Sequence, residues 1–87
     1  MTAEEIEQRL RAALGPVEVE VQDDSHLHAG HAGARDGAHF TVRIASERFA
    51  GLTRVARHRL VYDSLGPLAA LGVHALAIEA RAPDDRR

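Results

Sequence analysis

Histidine is concentrated in one short segment of this chain. Three of the six histidines, His26, His28 and His31, lie within the segment SHLHAGHAG. Neutral imidazole is a common metal ligand, so this density indicates a possible site for a transition metal. The alternative is a solvated loop that is rich in histidine, because such spacings do not fix ligand geometry outside a helix. The residues alone leave both interpretations open.

A second candidate ligand, His74, lies at the start of the segment VHALAIEA. Alternation predicts a strand there, and we expect His74 to share one face of it with Leu76 and Ile78. A strand start is a rigid platform for a metal ligand. A hydrogen-bonded structural histidine at a sheet edge is the alternative, and the residues alone favour that alternative.

The absence of cysteine limits the metal chemistry of the chain. Disulfides are excluded, and any thiolate ligand has to come from a partner. No nucleophile is paired with a base in a recognisable motif, and no phosphate-binding loop is present. A hydrolase site assembled from Asp23, Asp24 and His26 is a weak possibility, and we expect a protein that is not an enzyme.

The formal net charge of −2 provides no overall basic field for nucleic-acid binding. A local patch remains possible, because two predicted helices are joined near Gly51 in a manner similar to a helix-turn-helix. Arg48, Arg54 and Arg57 are the candidate phosphate contacts of this patch. Such a patch predicts weak, salt-sensitive binding of DNA.

His58 lies in the longer of these helices. Helical spacing places it on the face of Val55, Tyr62 and Leu65. That placement favours a buried, hydrogen-bonded histidine over a metal ligand.

The hydrophobic and capping patterns predict the order α-β-β-α-α-β. We expect residues 1–80 to form a single domain and residues 81–87 to form a charged, flexible tail. The long return to the last strand favours a crossover and therefore a mixed sheet. No apolar run is long enough to cross a membrane, and the acidic start MTAEEIEQRL is unlike a signal peptide. We therefore expect a soluble, cytoplasmic protein. The predicted helices are TAEEIEQRLRAAL, SERFAG, RVARHRLVYDSL and LAALG, and the predicted strands are VEVEV, HFTVRIAS and VHALAIEA.

Several short motifs occur in an order that strongly resembles the BolA family. They are DDSHLHAGHAG, HF, S..F.G, RHRLVY and VHALAI, and together they cover nearly the whole chain. The resemblance implies an α+β fold akin to the class II KH arrangement. It would have a three-stranded mixed sheet with helices packed on one face, which agrees with the predicted order of elements.

The same resemblance implies two roles. In the first, which we favour, the chain is an adaptor in iron–sulfur and iron homeostasis that binds a monothiol glutaredoxin. His74 would ligate a [2Fe–2S] cluster shared with the glutaredoxin and glutathione, and His28 or His31 would supply a second ligand. The isolated chain would hold no cluster. In the second role, the chain is a DNA-binding transcriptional regulator that uses the face around Gly51.

Overall fold

Within residues 1–25 and 38–85, the structure contains two helices, three strands and two short 3₁₀ turns, in the predicted order. A computed structural model describes residues 1–25 and 38–85. Within these residues, no helix is long and apolar enough to cross a membrane. The predicted helix after Ser46 is a single 3₁₀ turn. The elements are α1 (Ala3–Leu14), β1 (Glu18–Asp23), β2 (Ala38–Ala45), the first turn (Glu47–Phe49), α2 (Arg54–Leu65), the second turn (Ala69–Leu71) and β3 (Val73–Arg81).

The three strands form one mixed sheet in the order β1-β2-β3. β1 pairs with β2 in antiparallel register, whereas β2 and β3 run parallel. A parallel pair needs a crossover connection, and the segment that contains α2 supplies it. The predicted mixed sheet is confirmed, and β3 is one of its two edges.

The start and end of α1 follow the sequence signals. The Thr2 hydroxyl accepts a hydrogen bond from the Glu5 amide, and the Glu5 carboxylate accepts one from the Thr2 amide. This capping box uses amides that have no partner within the helix. Gly15 ends the helix in the left-handed region, at φ +51°, which glycine adopts without strain.

Both helices pack on the same face of the sheet. Alternate residues of β2 are buried, while His39, Thr41 and Arg43 between them are only half-buried. We call the side that carries His39, Thr41 and Arg43 the outer face. The helices cover the opposite face, where the aliphatic core forms. The core side chains include Ile6, Leu10, Leu14, Phe40, Val42, Ile44, Phe49, Val61, Leu65 and Ile78.

Polar side chains from other elements satisfy the last carbonyls of α1. The fully buried Ser46 hydroxyl donates to the Leu14 carbonyl at 2.7 Å, and the Arg48 guanidinium donates to the Ala13 carbonyl at 3.2 Å. Carbonyls at a helix end lack partners within the helix, so these bonds join α1 to the segment after β2.

The segment predicted to be a tail differs from that prediction up to residue 85. Arg81 is the last residue of β3, and Ala82 is buried. The Asp85 carboxylate accepts a hydrogen bond from the Arg57 guanidinium at 2.6 Å. An ion pair with α2 therefore holds residues that composition alone marks as a charged tail. Residues 86–87 lie outside the described part of the chain.

Candidate functional site

A bulge in β3 determines where His74 lies. Ala38 pairs with Val73, but the next residue of β2, His39, pairs with Ala75. His74 is therefore an extra residue on β3, and such a bulge changes which side chains face the core. Val73 is buried, whereas His74 is exposed. The prediction that His74 shares a face with the core residues of β3 is wrong for this reason.

The ring of His39 lies beside the ring of His74. Their centroids are 5.0 Å apart, and the ring planes are inclined by 42°. His39 belongs to the outer face, so both imidazoles lie on the side of the sheet away from the helices. Sequence reasoning did not identify His39 as a site residue. The sequence did contain a signal for it. His39 alternates with the apolar residues of β2, and this pattern predicts that its side chain lies on the face of the sheet away from the core.

The backbone of His39 is anchored to the end of β1. Its amide donates to the Ser25 hydroxyl at 3.1 Å, and its carbonyl accepts from the Asp24 amide at 2.7 Å. The Thr41 hydroxyl donates to the Asp24 carboxylate at 2.5 Å. These bonds fix the backbone of His39, because both its amide and its carbonyl have partners at the end of β1.

The backbone on either side of the bulge is also bonded. The Ala38 amide donates to the Gly72 carbonyl, and the Val73 amide donates to the Leu68 carbonyl, each at 3.0 Å. A side chain on such a support has a restricted direction. His39 and His74, which we call the histidine pair, therefore belong to the rigid part of the fold.

The loop histidines His26, His28 and His31 lie outside the described residues. The residues that flank this segment are described: Ser25 is bonded to His39, and Ala38 lies opposite Val73. Both ends of the segment are therefore at the end of the sheet that carries the histidine pair. Within residues 1–25 and 38–85, no group of three or more His, Cys, Asp or Glu side chains could hold a metal ion.

The predicted phosphate contacts lie in two places. A concavity of about 530 Å³ between α2 and β3 is lined by Arg54 and Arg57, among other residues. Arg54 is exposed and forms no ion pair with any described residue. Arg48 instead contacts the end of α1. Gly51 is exposed at φ +77°, between the first 3₁₀ turn and α2.

The guanidinium of Arg57 is engaged within the fold. It donates to the carbonyls of Leu52 and Ala80 and to the carboxylate of Asp85. Only 15% of its side chain is exposed. Because these contacts use its donors, Arg57 joins α2 to the end of β3 instead of presenting a free cation.

The face of α2 that was predicted to be buried is largely exposed. Val55 and Tyr62 are 66% and 39% exposed. α2 packs through Val61 and Leu65, and Val55 lies about 120° around the helix from Val61. His58 is half-buried and lines the concavity. The prediction of a buried face is therefore wrong for Val55 and Tyr62, whereas Leu65, which belongs to the same predicted face, is buried.

Comparison with known proteins identifies this arrangement. The family model described as "BolA-like protein" matches residues 10–85. The chain belongs to the BolA family. The curated "DNA-binding transcriptional regulator BolA" of Escherichia coli is 44% identical over 78 residues, which cover 90% of this chain and 72% of the relative.

Two solved structures of BolA domains from Arabidopsis thaliana share the fold. BolA1 is 38% identical, with a TM-score of 0.82 over 100% of this chain and 97% of the other. The BolA domain of SufE1 is 46% identical, with a TM-score of 0.79 over 93% of this chain and 91% of the other. The predicted family and fold class are both confirmed.

Proposed function

We propose that this BolA-like chain is an adaptor that binds a monothiol glutaredoxin and supplies His74 to a shared [2Fe–2S] cluster, in iron–sulfur and iron homeostasis. The observation that carries the proposal is the bulge in β3, which exposes the imidazole of His74 at the edge of the sheet. An exposed ligand on a rigid strand is accessible to a cluster held by a second protein. A histidine buried in the core would not be accessible to such a cluster.

The composition of the chain fits a shared site. The chain has no cysteine, so its contribution is imidazole, and the glutaredoxin and glutathione supply the thiolates. Neutral imidazole in place of thiolate lowers the ligand charge and raises the reduction potential of such a cluster, as in Rieske centres. His74 thus gives the shared cluster properties that thiolates alone do not give.

In this proposal, the histidine-rich segment supplies a second cluster ligand, either His28 or His31. The support is positional, because Ser25 and Ala38 bring both ends of that segment to the histidine pair. Separate alanine substitutions at the two positions identify the ligand. The double substitution tests whether the segment contributes at all.

The test is titration of the chain into a cluster-loaded glutaredoxin, followed by visible absorption and circular dichroism. We expect the unsubstituted chain to change both spectra and His74→Ala to abolish most of the change. His58→Ala is the matched control, because it removes a half-buried imidazole from another part of the molecule. Spectra with His74→Ala that equal those with the unsubstituted chain would refute the assignment.

DNA binding is the second candidate function, and the name of the Escherichia coli relative, a DNA-binding transcriptional regulator, favours it. The contacts of Arg57 leave two exposed candidates for phosphate, Arg54 and Arg48, although Arg48 already donates one hydrogen bond to the Ala13 carbonyl. About two contacts give a slope near −2 for the logarithm of affinity against the logarithm of salt concentration. We expect weak binding of a duplex, reduced by Arg54→Ala. Tight, sequence-selective binding at physiological salt would instead make regulation the primary function.

A further inference from the structure

We propose that Asp85 inhibits the binding of nucleic acid by this chain from within. Its carboxylate occupies the place of a phosphate at Arg57, in the concavity between α2 and β3, and a backbone phosphate of DNA binds there once the carboxylate has left. The inference rests on the second candidate function, DNA binding. It adds to that function a phosphate site and a competitor that the chain itself supplies.

The contact between Arg57 and Asp85 has the form of an arginine–phosphate contact. The two terminal nitrogens of the guanidinium donate to the two carboxylate oxygens, at 2.6 and 3.4 Å. The Nε nitrogen donates instead to the Leu52 carbonyl, so the guanidinium keeps its direction when the carboxylate leaves. Carboxylate and phosphate groups both accept paired hydrogen bonds from arginine. Two phosphate oxygens can therefore take the places of the two carboxylate oxygens.

A single turn after β3 holds the carboxylate in place. The Asp85 amide donates to the Ala82 carbonyl, and the Ala82 amide donates to the Asp85 carboxylate, each at 3.0 Å. Ala82 is buried, whereas Pro83 and Asp84 are exposed. Release of the carboxylate therefore opens one turn and leaves the core intact. Such a local opening needs less free energy than unfolding of the domain.

Two ion pairs balance the other charged side chains of β3 that line the concavity. Arg81 contacts the carboxylate of Glu18 on β1. Glu79 contacts the guanidinium of Arg43 on β2, at 3.4 Å. Since these charges are matched by neighbouring strands, the carboxylate of Asp85 is the one that balances the arginines of α2.

Arg54 is the neighbouring phosphate contact in this proposal. It lines the same concavity, and residues three apart on a helix, such as Arg54 and Arg57, are adjacent on its surface. Arg54 is exposed and forms no ion pair with any described residue. The concavity measures about 530 Å³, and volumes of about 300–1,000 Å³ hold small-molecule ligands. A phosphate at Arg57 therefore has a second guanidinium beside it and room for the attached sugar.

The test measures the affinity of the chain for a short DNA duplex by fluorescence anisotropy at two salt concentrations. Asp85→Ala removes the competitor and frees Arg57 for a third phosphate contact. We expect the slope of the logarithm of affinity against the logarithm of salt concentration to change from near −2 to near −3. If the added contact contributes nothing at about 1 M salt, affinity rises about tenfold at about 50 mM and about fourfold at about 200 mM.

Asp84→Ala is the matched control. It removes the same charge from the adjacent residue, which is exposed and forms no ion pair with any described residue. Salt screens a charge that makes no contact, so this variant should change affinity by less than about twofold and leave the slope unchanged. Arg57→Met in the Asp85→Ala background should return the slope to that of the unsubstituted chain, because it removes the freed guanidinium.

Two further measurements remain available where Asp85→Ala does not fold, which circular dichroism shows. Asp85→Asn removes the charge but keeps an oxygen for the Ala82 amide, and it should raise affinity in the same direction by a smaller factor. In the unsubstituted chain at low salt, saturation with duplex should shift the NMR signal of the Asp85 carboxyl carbon more than that of Asp84. An Asp85 signal that does not respond to duplex would overturn the inference.

The remaining outcomes separate this inference from DNA binding itself. Equal affinities and slopes for folded Asp85→Ala and Asp84→Ala would overturn the inference, and DNA binding would stand if Arg54→Ala still lowers affinity. No binding of duplex at low salt by the unsubstituted chain or by Asp85→Ala would refute both. Tighter binding of an oligo-aspartate peptide than of duplex by Asp85→Ala would assign the place at Arg57 to carboxylates of a protein partner, and would overturn the phosphate assignment.

Discussion

Replacing Arg57 by methionine separates a structural role of this arginine from a role in binding phosphate. The substitution keeps most of the aliphatic stem and removes the guanidinium. The guanidinium bonds to Asp85 at 2.6 Å and to the Leu52 carbonyl at 3.0 Å. Its loss therefore releases the end of β3 from the start of α2.

The expected cost follows from the burial of these contacts. The side chains of Arg57 and Asp85 are 15% and 32% exposed, so water replaces the lost bonds only in part. A hydrogen bond to a charged group contributes about 1.5–3 kcal/mol. We expect the free energy of unfolding to fall by about 2 kcal/mol, which for a chain of this length lowers the melting temperature by about 8–16 °C.

Urea denaturation followed by circular dichroism measures this change. Arg54→Met is the matched control, because Arg54 is an exposed arginine of the same helix, and it should change stability by less than about 0.5 kcal/mol. Adding Asp85→Asn to Arg57→Met should cost less than the two single changes combined. Equal, small effects of Arg57→Met and Arg54→Met would refute the reasoning and make Arg57 available for phosphate.

Two further predictions concern the helix ends. Ser46→Ala should lower the free energy of unfolding by about 2 kcal/mol in urea denaturation, because it removes the buried donor to the Leu14 carbonyl. Ser64→Ala, which removes a bond within α2, should cost less, and equal losses would contradict this account. The hydrogen bond from the Thr2 amide lowers the pKa of Glu5 below 4.5. Stability from this carboxylate is therefore present above pH 4.5 and lost as pH falls through the lower, folded-state pKa. Thermal melts at acidic pH should show less of this loss in Glu5→Gln than in the unsubstituted chain, and identical pH profiles would exclude it.

Most of the fold could be predicted from local signals. The capping box at Thr2, the stop at Gly15 and the alternation around Val42 each report a local geometry that the chain adopts. The crossover rule then gave the mixed sheet without knowledge of any contact. These predictions succeeded because local preference and tertiary packing agree at those positions.

The arrangement of the histidines could not be predicted in the same way. Alternation along β3 has a period of two, so one extra residue reverses every assignment on one side of it. The bulge is set by how Ala38 and His39 align with β3, and that register is a relation between strands distant in sequence. The proximity of His39 to His74 depends on the same register. For this pair, the sequence identified His74 as a candidate ligand but not its position beside His39.

The contacts of the arginines also could not be predicted from the sequence. Counting Arg48, Arg54 and Arg57 as a basic patch treats each guanidinium as free, but two of the three donate to backbone carbonyls. Arg9 does the same at the last residue of α2, where it donates to the Leu65 carbonyl at 3.0 Å. A planar group with several donors suits the unpaired carbonyls at helix ends. In a small domain with few buried polar side chains, part of the positive charge therefore stabilises the fold. Arg54 is consequently the residue at which nucleic-acid binding by this chain is best tested.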